Sequence, residues 1–105
     1  MNLAVSGFEW DEGNLAKCQT HGVSIAEIES IFARPVIILP DDGHSVVEPR
    51  YKAIGEGATG RKVFLVFALR ERDGARFIRP IGARYMHRKE IDRYEEENAD
   101  LRERR

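Results

Sequence analysis

The stretch 61–85, RKVFLVFALRERDGARFIRPIGARY, decides how this chain folds. Val63–Leu69 is a continuous apolar run. At that length, bounded by charged residues, such a run predicts a strand covered on both faces, hence a central one. Asp73-Gly74 is a two-residue hairpin signal, because a tight reversal between strands needs two residues with positive φ. Ala75–Arg84 is therefore predicted to return antiparallel. Strand parity puts Arg76 and Arg84 on one face and Phe77 and Arg79 on the other. Pro80 has no N–H for the ladder and predicts a bulge, which would break that count.

Upstream, LAVSGFEW (3–10) reads as a first strand. Asp11 has the chemistry to cap a helix over Glu12–His21, with Trp10 and Leu15 as its hydrophobic staple and Gly22 as its stop. SIAE (24–27) is a capping box, and Val23 with Ile28 forms a second staple. Ile25, Ile28, Ile31 and Phe32 recur at helical spacing, and Pro35 ends that helix. VIILP (36–40) is a short strand, DDGHS (41–45) a turn, and VVEPRYKAIGE (46–56) extended, with Pro49 at an edge or bulge. Downstream, a last helix is predicted from about His87, with Ile91, Tyr94 and Leu101 on its inner face. Residues 98–105 form a charged tail expected to fray. The order is an N-terminal strand, two helices, three to four further antiparallel strands and a C-terminal helix. That is an α+β domain with helices grouped against a curved sheet.

At 105 residues, 42% hydrophobic and 33% charged, the chain is expected to be a single globular domain, 1–105. Its apolar runs fall well short of a membrane span. Its first residues do not resemble a secretion signal, and the single cysteine, Cys18, cannot form an internal disulfide, so a cytoplasmic location is expected. The net charge of −1 hides a pattern. Residues 61–89 carry 9 Lys/Arg against 2 Asp/Glu, or +7, between acidic flanks of −5 (4 against 9, residues 1–60) and −3 (4 against 7, residues 90–105). A basic block of this kind points to an anionic partner.

Within the block, Arg79, Arg84, Tyr85, His87, Arg88 and Lys89 supply guanidinium forks for phosphate, a stacking ring and an imidazole that can move a proton near neutral pH. That inventory suits holding RNA and cleaving its backbone. Arginines solvated at strand ends would give the same composition. His21 fits a helix C-terminus, where a cation is favoured. His44 lies in an acidic turn, but no metal-ligand spacing such as HExxH or CxxC occurs. Cys18 reads as a small buried side chain, Glu48 and Arg50 as an ion pair, and GEGATG (55–60) as a loop without the Gly-Lys-Ser/Thr of a phosphate-binding loop. Residues 14–32 could be a helix-turn-helix, but Glu27 and Glu29 on the second helix would repel DNA phosphates, so a packing αα-hairpin is preferred.

FEWDEGN (8–14), HGVS (21–24), IFARP (31–35), RPIGARYM (79–86) and KEIDRYE (89–95) occur in that order and together resemble the BrnT family of small toxins. The resemblance implies a compact fold similar to RelE-type ribonucleases, acting on RNA without a metal or other cofactor. It also implies an antitoxin partner similar to BrnA, whose ribbon-helix-helix part would provide the only link to DNA. The assembly would be a homodimer or a toxin–antitoxin hetero-oligomer. Arg79 and Arg84 match the family's closing strand, and Tyr85, Lys89 and Glu90 the start of its last helix. The common form has serine where this chain has Gly82, and lysine where it has Thr20. The expected activity is endoribonuclease cleavage by the neighbouring 2′-hydroxyl, giving a 2′,3′-cyclic phosphate and a 5′-hydroxyl. His87, Lys89 or Glu9 would act as the base, Arg84 and Arg79 would stabilise the phosphorane, and Tyr85 would stack on or bond to a nucleotide. Arg76, Arg79, Arg84, Arg88 and Lys89 are the expected nucleic-acid contacts. The alternative is a non-catalytic module that scaffolds a DNA-binding antitoxin.

Overall fold

A computed structural model describes residues 4–41 and 48–97. Its elements are β1 (Gly7–Phe8), α1 (Leu15–Cys18), α2 (Ile25–Ser30) extended by a 3-10 turn (Ile31–Ala33), β2 (Val36–Pro40), β3 (Arg50–Glu56), β4 (Lys62–Arg72), β5 (Ala75–Tyr85) and α3 (Arg88–Glu97). The five strands form one sheet in the order β1-β5-β4-β3-β2, with β1 parallel to β5 and the other pairs antiparallel. The α+β reading and the central place of the apolar run hold. His44 with most of its turn, and the tail 98–105 with Leu101, lie outside the described residues.

The hairpin forms as its turn residues require: Asp73 and Gly74 take φ of +52° and +79°, and Arg72 faces Ala75. The bulge also forms. Val66 faces Gly82 while Phe67 faces Pro80, so Ile81 is the extra residue. Its consequence is a change of face. Before the bulge Ile78 and Pro80 share the face of Leu69 and Phe67; after it Ala83 and Tyr85 share the face of Leu65 and Val63. Arg79 and Arg84 therefore project from one face, opposite Ala68 and Phe64, and Arg76 from the other.

The face of Val63, Leu65 and Phe67 is the core. It packs with Ala53, Ile78 and Ala83 against Cys18, Val23, Ile28 and Ile31, most of them without solvent exposure. Phe67 meets Phe32 edge-on and Tyr51 stacked, at 5.8 and 5.5 Å between centroids. α3 lies against the opposite face, where the rings of Tyr94 and Phe64 are 6.4 Å apart. The helices are thus divided between the two faces rather than grouped on one. Ile91 and Tyr94 are half-buried, and no described residue of α3 is fully buried.

Two elements are shorter than the sequence suggests. β1 is two residues long, held by flanking bonds from Ser6 N to Arg76 O and Glu9 N to Ile78 O. α1 starts at Leu15 because tertiary bonds win over helix at 11–14. Asp11 Oδ1 accepts from Gly13 N at 2.8 Å, while buried Asn14 accepts from Asp11 N and donates to the carbonyls of Glu9 and Pro80. The Trp10–Leu15 staple gives way as well: Leu15 is 40% exposed, and Trp10 packs on the core while donating to Glu29 at 2.9 Å. In the SIAE box Ser24 caps Glu27 N, but the buried Glu27 carboxylate turns to Thr59, accepting from its N–H and its hydroxyl.

Candidate functional site

β5 ends at Tyr85, one residue past Arg84, and α3 starts three residues later at Arg88. The short link folds the first turn of α3 back over Arg84. Arg84 Nη1 and Nη2 donate to Glu90 Oε1 and Oε2 at 2.8 and 2.7 Å, a bidentate pair, and the guanidinium carbon lies 4.6 Å from the centroid of Phe64. Arg84 first, with the His87 backbone N–H in support, holds the Glu90 carboxyl below its usual range against partial desolvation; Glu90 in turn raises Arg84. His87, Arg88, Lys89 and Arg93 complete the walls of an open groove of about 930 Å³. Its lining carries four side chains of fixed positive type and one imidazole against a single carboxylate. With Arg84 40% exposed, the pair with Glu90 contributes about 1 kcal/mol or less. A phosphate that offers Arg84 a charge-assisted bond of about 1.5–3 kcal/mol can therefore compete for it.

A second cluster lies further back on the same sheet face. Glu9, just past β1, accepts from Arg72 Nε at 2.6 Å and from Arg79 Nη1 at 2.9 Å. Arg79 also forks onto Asp11 at 2.8 and 3.0 Å. Arg72, then Arg79, lowers the Glu9 pKa against desolvation; Arg79, then the Gly13 N–H, lowers that of Asp11. A carboxylate so held is a poor proton acceptor, and Glu9 sits with Arg79 rather than in the groove of Arg84. Five of the six residues expected to carry the chemistry thus separate into Glu9 with Arg79, and Arg84 with His87 and Lys89.

Residues 10–90 match the family model described as ribonuclease toxin, BrnT, of type II toxin–antitoxin system. The chain belongs to the BrnT family. A search of curated proteins gave no match. The match runs from Trp10 to Glu90, so it takes in β2 to β5 and the groove residues from Arg84 to Glu90, and leaves out β1, Glu9 and Arg93.

Of the remaining expected residues of this BrnT chain, Tyr85 and Arg76 sit elsewhere and Arg88 joins the groove. Tyr85 follows Arg84 and so projects to the core face opposite Val63, with the Arg61 guanidinium carbon 3.5 Å from its ring centroid. Arg76 is at the hairpin end of β5, facing Glu71, roughly 25 Å along the strand from Arg84. Arg88 lines the groove and lies 3.8 Å from Asp92. Sequence reasoning gave Arg72 and Arg93 no role, read Asp11 as a helix cap, and matched Glu90 to the family's last helix without a role in the site. Glu90 had a detectable signal, standing third after His87 at the head of a helix, where a carboxylate reaches back to a capping N–H. Arg72 had one too: across the Asp73-Gly74 turn it faces Ala75, which shares the face of Arg79 by simple alternation before the bulge.

No helix of the described residues is long and apolar enough to cross a membrane. Among the described residues no group of three or more His, Cys, Asp or Glu is arranged to hold a metal ion.

Proposed function

We propose that this BrnT chain is an endoribonuclease that cuts RNA without a metal and so blocks translation. The observation that carries the reading is the basic groove built on Arg84. A scissile phosphate bound there would replace one or both of the Glu90 bonds. His87 takes the proton from the 2′-hydroxyl, imidazole being the side-chain type best suited to that task near neutral pH. The 2′-oxygen attacks phosphorus. Arg84 stabilises the charge that grows on the phosphorane oxygens, the kind of interaction that contributes most to such a step. The bond to the 5′-oxygen breaks, and Lys89 protonates the leaving oxygen. The products are a 2′,3′-cyclic phosphate and a 5′-hydroxyl. Arg88 and Arg93 hold neighbouring phosphates. Glu9 is assigned to Arg79, as a positioning residue.

The family also supports an antitoxin partner. A BrnA-like protein that laid a basic segment along the acidic outer side of α3 would cover the mouth of the groove. Its own DNA-binding part would bring the pair to an operator, so DNA is reached only through the antitoxin. Expression of the chain should arrest growth, co-expression of a cognate ribbon-helix-helix antitoxin should relieve the arrest, and Arg84→Ala should abolish it. Full arrest by a folded Arg84→Ala chain would contradict the nuclease centre.

A further inference from the structure

Arg84 rests on a ring as well as on a carboxylate. Its cross-strand partner on β4 is Phe64, and the guanidinium carbon lies over that ring, 4.6 Å from the centroid. Arg79, which β5 sends to the same face, is set opposite Ala68 and is held by carboxylates. Phe64 projects away from the side of Val63, Leu65 and Phe67, so its ring takes no part in their core. Instead it meets Tyr94 of α3, at 6.4 Å between centroids and a tilt of 49°. Glu90 and Tyr94 are four residues apart on α3 and so share one side of that helix. Together they grip one directly paired couple of the sheet: Glu90 takes Arg84, and Tyr94 takes Phe64.

The carboxylate and the ring use Arg84 differently. Glu90 accepts from two N–H donors at the edge of the guanidinium, whereas Phe64 offers the face of its ring to the cation and takes no donor. A phosphate that binds Arg84 therefore competes with Glu90 and not with Phe64. Once the carboxylate yields, a long and half-exposed side chain regains rotamer freedom and loses its aim. The ring contact is a constraint that outlasts the exchange. Aim matters at this step, because charge growing on a phosphorane is stabilised only by donors already in place.

We propose that Phe64 is a positioning residue for RNA cleavage: it keeps the Arg84 guanidinium aimed at the scissile phosphate after Glu90 has let go, and Tyr94 fixes the Phe64 ring from α3. The inference rests on the ribonuclease reading and adds to it two residues that act through Arg84.

The test is steady-state cleavage of a labelled RNA by the parent, Phe64→Leu, Arg84→Ala and the double variant, each shown by circular dichroism to be folded. Leucine keeps the position apolar and removes the ring. Phe64→Leu should lower kcat about three- to tenfold and leave KM within about twofold, because Arg88 and Arg93 go on holding neighbouring phosphates. In the Arg84→Ala chain the same substitution should have no further effect, since a residue that acts through Arg84 is silent once Arg84 is gone. Phe64→Tyr, which keeps the ring, should restore most of the rate. Tyr94→Leu, a change on α3 that leaves the strands as they are, should lower kcat in the same sense by about twofold and guards against misfolding of Phe64→Leu. Unchanged kcat in both leucine variants, beside an impaired Arg84→Ala chain, would overturn the positioning role and leave the ribonuclease reading standing. Equal losses from Phe64→Leu with and without Arg84 would overturn it too, as an effect on the fold alone. A parent chain that cuts no RNA, alone or with translating ribosomes, would contradict the ribonuclease reading and this inference together.

Discussion

Arg84 and Arg79 are each held by carboxylates, and the manner of holding separates their roles. Arg84 is half-exposed and shares one carboxylate, Glu90, so its fork is oriented but available. Arg79 is 16% exposed and spans Glu9 and Asp11, so it fixes the loop after β1 to β5. Between them is Gly82, opposite Val66 on the same face, where an added Cβ would meet no atom within 4 Å. Its φ is not positive, so a side chain costs no strain there. Gly82→Ser should therefore fold normally, with stability unchanged or raised by up to about 1 kcal/mol, since glycine inside a strand is unfavourable. Urea unfolding checks this; a loss of more than about 1 kcal/mol would show an unseen constraint at that position.

The bulge at Ile81 is the element that makes the site. Without it Arg79 and Arg84 would lie on opposite faces, as simple parity has them. Deleting Ile81 should force either Arg84 or Arg79 toward the core face, because a one-residue slip inverts every side chain beyond it. The deleted chain should lose its cooperative thermal transition in circular dichroism; a melt within a few degrees of the parent would contradict this role. Pro80 made the bulge foreseeable in the sequence, but not which residues it would bring together. The hairpin, the central strand and β2 were legible because their signals are local: a Asp-Gly turn, an unbroken apolar run, a proline stop. α1 and the Trp10–Leu15 staple were not, because Asn14 bonds to a carbonyl 66 residues away. α3's position on the far face was hidden for the same reason, since Phe64 and Tyr94 meet only through the completed sheet.

For the whole molecule, three carboxylates with lowered pKa values set the response to acid. Glu9, Asp11 and Glu90 bind protons less readily folded than unfolded, so each favours the folded state above its unfolded pKa. That contribution is lost as pH falls through the ordinary carboxylate range, about 4, toward their folded values. The melting temperature should be flat from pH 7 to 6 and fall below pH 5. Arg79→Ala should have a lower melting temperature at pH 7 and a shallower fall, having already lost its bonds to Asp11 and Glu9. An identical pH dependence in the two chains would mean that these pairs contribute nothing to stability. The same charge layout gives the composition a place in the fold: β4, β5 and the start of α3 bring most of the basic block to one face, Arg76 excepted, with carboxylates that orient its arginines.

The account turns on chemistry at Arg84. The direct measurement is cleavage of end-labelled RNA by the purified chain in EDTA, alone and with translating ribosomes, beside a folded Arg84→Ala chain, with the product ends analysed. The expected result is cleavage that survives EDTA, leaves 2′,3′-cyclic phosphate and 5′-hydroxyl ends, and drops by about 10²–10³ in the variant. Cleavage of equal rate in the variant, cleavage abolished by EDTA, or no cleavage under either condition would contradict it.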